Sequence, residues 1–193
     1  MKRIATLAAM LALGFSAGIA QAEPQAYQIE KSHTFIAFKI SHIGYAWMPG
    51  VFKKFSGELT YDPEDRANSE VSFTVRTPSV DTFHGERDKH IREKEDLLYT
   101  TEYPKATFES TAYEPTGPDT AELTGNLTIR GETNEVTFEV EEGKAAEDPW
   151  GNFRRAFTAT GEVNLQDFGI THFEGMEAPK TANLEIAVEA LRQ

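Results

Sequence analysis

The chain contains no cysteine. That absence excludes both a disulfide framework and a thiol site. Positive charge is also scarce: 19 Lys and Arg face 31 Asp and Glu, for a formal net charge of −12. Such a field repels phosphate backbones, so nucleic acid is not an expected partner. No glycine-rich phosphate loop follows a strand, and no nucleophile-elbow pattern is present. Paired acids such as Glu141-Glu142, and Glu114 near Asp119, sit in polar, turn-like surroundings. They read as solvated surface and not as an acid–base couple, so catalysis is not expected. No Pro/Ser-rich linker or low-complexity block divides the chain.

What is there begins with a targeting segment. Lys2 and Arg3 precede an apolar, small-residue run over positions 4–19, and Ala20-Gln21-Ala22 fits an A-x-A cleavage site. The run is short for a membrane span and rich in Ala and Gly, which leaves an uncleaved anchor as the lesser alternative. Residues 1–22 therefore read as a cleavable signal peptide and residues 23–193 as one domain. A chain of that size buries roughly 70 % of the surface its unfolded form exposes, enough to fold without cross-links.

The commonest pattern is period-two alternation bounded by Gly, Pro, Asp and Asn, the mark of strands separated by turns. Phe38 and Ile40 share one face of the first long run. Phe73 alternates with Ser72 and Thr74. Phe108 follows Pro104, and Leu127 precedes a turn over Gly131-Glu132-Thr133-Asn134 that leads to Phe138. Phe157 lies in the long run before Leu165. About eight antiparallel strands result, suited to a sandwich or a closed barrel. Long strands and the inward glycines Gly57, Gly125 and Gly161 favour the barrel, because glycine relieves crowding at bends. Many of the 13 phenylalanines sit on the inferred inner face. A packed aromatic core and a lined cavity are both open, and the pattern alone favours the packed core.

Several segments together are familiar. They include His33-Thr34-Phe35-Ile36-Ala37-Phe38, Ser79-Val80-Asp81-Thr82, Glu86-Arg87-Asp88-Lys89-His90-Ile91-Arg92, Tyr103-Pro104-Lys105-Ala106-Thr107-Phe108, and Leu127-Thr128-Ile129-Arg130-Gly131. In these the chain resembles the YceI-like family, lipocalin-like bacterial barrels that bind polyisoprenoid lipids. Ile91 stands where the family usually has Leu, and Thr34 where it commonly has Ser. The resemblance implies an all-β, eight-stranded antiparallel barrel with a short helical insert and an elongated apolar tunnel. It implies a periplasmic carrier or store for an isoprenoid lipid, a polyprenyl phosphate or a quinone such as ubiquinone, with no required cofactor. An inner-membrane redox protein is then an expected recipient, and the protein a monomer or homodimer. On the inferred faces, Phe38, Ile40, Phe73, Phe108, Leu127, Phe138 and Phe157 are the expected tunnel walls.

The insert over residues 79–92 breaks the strand pattern and predicts a helix starting near Gly85. Glu86 and Asp88 then favour the helix dipole, and Asp88 and Arg92 are spaced for an ion pair. His84, Arg87, Asp88 and Ile91 fall on one side. With His90, the residues His84, Arg87 and Asp88 are the candidate lipid head-group site, because a guanidinium fork suits a phosphate or quinone oxygen. A structural ion pair between Arg87 and Asp88, pinning the helix to the rim, explains the same residues. A metal-dependent hydrolase or lipid-modifying enzyme using His84, His90 and Asp81 is the alternative, although that spacing matches no tight zinc motif. Tyr45 and Trp47 read as a cap on the barrel, in preference to the lining of a tunnel mouth. His42 and His172 read as strand-end and loop residues.

Overall fold

The computed structural model describes residues 23–172, 174–175 and 180–193. The signal peptide expected in residues 1–22 lies outside them. The strands are β1 (Gln25–Ile29), β2 (Phe35–His42), β3 (Ala46–Phe52), β4 (Phe55–Tyr61), β5 (Glu70–Arg76), β6 (Val80–Asp81), β7 (Lys105–Pro115), β8 (Thr120–Ile129), β9 (Glu132–Glu147), β10 (Phe153–Asn164) and β11 (Thr181–Arg192). Between β6 and β7 lies the α-helix α1 (Gly85–Glu93). All pairings are antiparallel.

Short strands combine into bent legs: β1 with β2, β3 with β4, and β5 with β6. Together with β7 to β11 they make the eight-stranded closed barrel. The ring runs β1-β4-β5-β7-β8-β9-β10-β11, and β11 returns to β1 with Arg192 opposite Tyr27. At its other end β11 pairs with β2, Ala182 opposite Ile40. The first leg bends where residues 30–34 leave the ladder. Buried Thr34 repairs it: its hydroxyl accepts from Glu189 N at 3.1 Å and donates to Glu189 O at 3.3 Å. A hydroxyl at this position therefore replaces a missing backbone partner.

The β8–β9 connection is tighter than the four-residue turn the sequence suggested. Ile129 faces Glu132 directly, so the loop is Arg130-Gly131. Both residues have positive φ, 54° and 81°, as a two-residue turn with the sheet's twist demands. The Arg130 guanidinium then reaches back to donate to the Leu97 carbonyl and lies 5.2 Å from the Tyr103 ring centroid. The turn thus clamps the segment that follows α1.

Inward side chains form two tiers. The upper tier groups Tyr27, Ile29, Leu59, Tyr61 and Val188 beside Phe108, Tyr113, Leu123, Phe138 and Val140. The lower tier groups Leu97, Leu165, Ile170 and Ala182 with Ile40, Ile91, Leu98 and Leu184. Between β6 and β7 there is no strand pairing among the described residues; α1 and its following turns close that gap. Two of the expected inward glycines make room for rings. A Cβ on Gly125 would sit 2.5 Å from Phe108 Cζ, and one on Gly161 would sit 2.6 Å from Phe138 Cδ1. The two rings meet edge-on with centroids 5.6 Å apart.

Candidate functional site

The barrel interior is not a solid plug. A lower cavity of about 320 Å³ lies under α1, and an upper one of about 130 Å³ continues it. Ile36, Val75, Ala106, Leu127 and Leu184 border both, which makes them two lobes of one lumen. The upper lobe presents only apolar surface. Phe73, Phe108, Leu127, Phe138 and Phe157 line it, while Phe38, Ile40 and Leu127 line the lower lobe. All seven expected wall residues thus face the lumen. The packed-core reading is corrected: the rings stand around the wall, over Gly125 and Gly161, and leave the axis open.

The lower lobe opens between α1 and the β2–β3 hairpin. Its exposed lining residues are His42, His90 and Lys94, with Arg87 half-buried beside them and Ile91 behind. Of the four candidate head-group residues, Arg87 and His90 lie in this wall; His84 and Asp88 do not. His84 caps α1, its Nδ1 accepting from Arg87 N at 3.3 Å. Asp88 is buried and accepts from Thr82 N at 2.7 Å and from the Thr82 hydroxyl at 2.5 Å. Arg87 Nε donates to the same hydroxyl at 2.8 Å, and its Nη2 to the Thr82 carbonyl.

The expected Arg87–Asp88 ion pair is therefore replaced. Both side chains grip Thr82, which ties α1 to the end of β6. The expected Asp88–Arg92 pair is also absent among the described residues; Arg92 donates instead to the Val80 carbonyl at 3.4 Å. The physical reason is that a buried backbone N–H at Thr82 requires an acceptor, and Asp88 is the one in reach. With two donors committed, the rest of the Arg87 fork has no partner among the described residues and borders the cavity.

The alternative metal set does not assemble. Asp81 accepts from Lys53 at 2.9 Å and from Phe83 N at 2.8 Å, and the Lys53 bond leads in holding its carboxyl below the usual range. Among the described residues, the group with metal-like spacing is Glu30, His33 and Glu189, away from the lumen. Arg154 already occupies that corner, bonded to Glu189 and 3.8 Å from Glu30. Tyr45 and Trp47 do not cap the barrel; they are 86 % and 56 % exposed on the hairpin tip.

Sequence reasoning missed the closure of the opposite end. Glu142, read as solvated surface, has a side chain only 7 % exposed. It accepts from Tyr61 at 2.7 Å, from Tyr113 at 2.6 Å and from Arg66 Nε at 2.7 Å, with Arg155 at 3.6 Å. Arg155 also stacks on the Tyr61 ring, 3.8 Å from its centroid. Arg66 donates onward to the carbonyls of Gly117, Pro118 and Thr120. Burial, reinforced by the bond to Glu142, pushes the Tyr61 phenol up to about 12 and raises Tyr113 for the same reasons. A signal existed: Glu142 continues the inward register of Phe138 and Val140.

The YceI-like domain family matches residues 27–190. The chain belongs to the YceI-like family. A protein YceI of Shigella flexneri is 44 % identical over 181 residues, covering 94 % of this chain and 93 % of that protein. A UPF0312 protein of Ectopseudomonas mendocina is 43 % identical over 187 residues, covering 96 % and 97 %. Among solved structures, BcnA of Burkholderia cenocepacia superposes with a TM-score of 0.75 at 21 % identity, covering 83 % of this chain and 98 % of that one. A polyisoprenoid binding domain from Saccharophagus degradans, implicated in plant cell wall breakdown, superposes at 0.65 and 15 % identity, covering 88 % and 99 %. At these identities the two structures share the fold.

Proposed function

We propose that this YceI-like barrel is a periplasmic binding protein for an isoprenoid lipid, acting as a carrier or store and not as an enzyme. One observation carries the reading: an unfilled apolar lumen that opens at a rim holding Arg87, His90, His42 and Lys94. Each buried CH₂ of a tail contributes about 0.8 kcal/mol, so a multi-unit isoprenoid offsets the cost of its own ordering. Arg87 and His90 meet the head group. Asp88 and His84 act through Thr82 and α1, holding Arg87 in place. The net charge of −12 favours a neutral quinone head, while the cationic rim accommodates a phosphate. Quinone cargo makes an inner-membrane redox protein the natural recipient.

Native mass spectrometry of protein purified from the periplasm, followed by organic extraction, tests the reading. A co-purifying isoprenoid is expected, on a chain that begins at Glu23. An empty protein that takes up neither ubiquinone nor polyprenyl phosphate would overturn it. In Arg87→Ala, retention of the phosphate-headed lipid should fall more than that of the quinone. Unchanged relative retention would remove Arg87 from the head-group contact.

A further inference from the structure

The lumen does not account for the β2–β3 hairpin tip. Residues 42–47 are all exposed, and three of them are large and apolar. Ile43 is 49 % exposed, Tyr45 86 % and Trp47 56 %. Phe83, 71 % exposed, follows β6, which pairs with β3, and it precedes α1. These side chains flank the mouth and point into solvent, where a scaffold with no use for them would carry polar groups.

Charge is arranged in the same sense. The chain holds 31 acids, yet residues 31–57, which contain β2 and β3, include none. That stretch carries Lys31, Lys39, Lys53 and Lys54, with His33 and His42. Lys53 is committed to Asp81, and Lys39 Nζ lies 5.4 Å from the Trp47 ring centroid. Across the mouth, α1 and its cap set Arg87, Lys89, Arg92 and Lys94 against Glu86, Asp88 and Glu93. Beyond them, Glu95 and Asp96 add acid, and Asp96 is held by His172 at 2.8 Å. Lys31 and His33 lie at the β1–β2 bend beside Glu30, away from the mouth, but the hairpin itself, with Lys39 and His42 and no acid, is a cationic and aromatic edge on an acidic barrel.

We propose that this rim docks on a bilayer containing anionic phospholipid, with Ile43, Tyr45, Trp47 and Phe83 entering the headgroup layer. Indole and phenol rings settle at that depth because one end is apolar and the other wet. Lys39 on β2 and the exposed Lys89 and Lys94 of α1 and its cap are drawn to the negative surface, and the acidic remainder is repelled by it, so the barrel lands mouth-first. Docking does not depend on what the lumen holds.

The two tryptophans test this directly. Trp47 marks the rim; Trp150, 78 % exposed, follows β9 at the opposite end of the barrel. Protein purified after export is mixed with vesicles of phosphatidylcholine and bromine-labelled phosphatidylglycerol that contain no isoprenoid. In W150F, emission from Trp47 should be quenched; in W47F, emission from Trp150 should not. Co-sedimentation of Y45S/W47S with the vesicles should fall about tenfold, and added salt should weaken wild-type binding. Absent quenching of Trp47, equal quenching of both residues, or equal binding to pure phosphatidylcholine would overturn the proposal. So would a wild-type dimer that ignores vesicles and that Y45S/W47S dissolves, since the rim would then pair with a second copy. The vesicles carry no cargo, so failure here leaves the lipid-holding reading intact, and an empty lumen leaves docking intact.

Discussion

Glu142 serves two tyrosines and two arginines at once, and its neighbour Glu141 serves none of them. Neutralising it in E142Q keeps the volume but leaves Arg66 and Arg155 facing each other without an anion. The expected loss is about 3 kcal/mol in urea unfolding, against almost none for E141Q. Tyr61 gives a second test at high pH. Its folded-state pKa is raised from 10.0 to about 12, so the folded state keeps a proton that the unfolded state releases. Its contribution is complete below pH 10 and is lost as the pH rises through about 12; in Y61F the alkaline slope should be shallower. The lumen walls were legible in the sequence because alternation names a face without any knowledge of neighbours. Glu142 was not, because its partners come from β4, the Arg66 turn, β7 and β10, and two adjacent glutamates look alike until the register is followed. The Arg87–Asp88 pair was misread for a related reason. Both side chains answer to Thr82, whose need for an acceptor appears only once β6 ends there.

Among the elements, β10 shows how a glycine and a ring are matched across strands. G161A would place a methyl 2.6 Å from Phe138 Cδ1 and 3.2 Å from Thr137 O, forcing the ring toward the lumen axis. A loss of about 1–3 kcal/mol is expected, together with reduced uptake of the tail, measured by thermal unfolding and by lipid retention. The start of α1 was readable from Gly85 and its two early acids. The strand β3 was not, since Pro49 and Gly50 argue against a strand interior. It survives because Pro49 pairs only with Lys39 of β2, while β6 reaches no further than Val51 and Phe52, which leaves the proline's ring side on an open edge.

At the scale of the whole barrel, closure depends on a seam where β11 hands over from β1 to β2, and this seam is acidic. Bonds from Ser32, ahead of those from His33, hold the Glu30 carboxyl down to about 2. The Asn152 amide leads in doing the same for Asp148, also to about 2. Arg154 joins Asp148 to Glu189. Both folded-state values lie below the ordinary 4.5 and 3.8, so the stabilisation is complete above those values and is lost as the pH falls toward 2. Acid titration followed by circular dichroism should show most of its loss in that window, and E30Q/D148N should flatten it. The clamp around Glu142 has a different kind of consequence: it turns the barrel into a cul-de-sac. On the proposed function, a thread that slides in by its greasy end must back out the same way, with its head group leading. Donor and acceptor would then take turns at a single doorway, and neither could be served while the other still stood there.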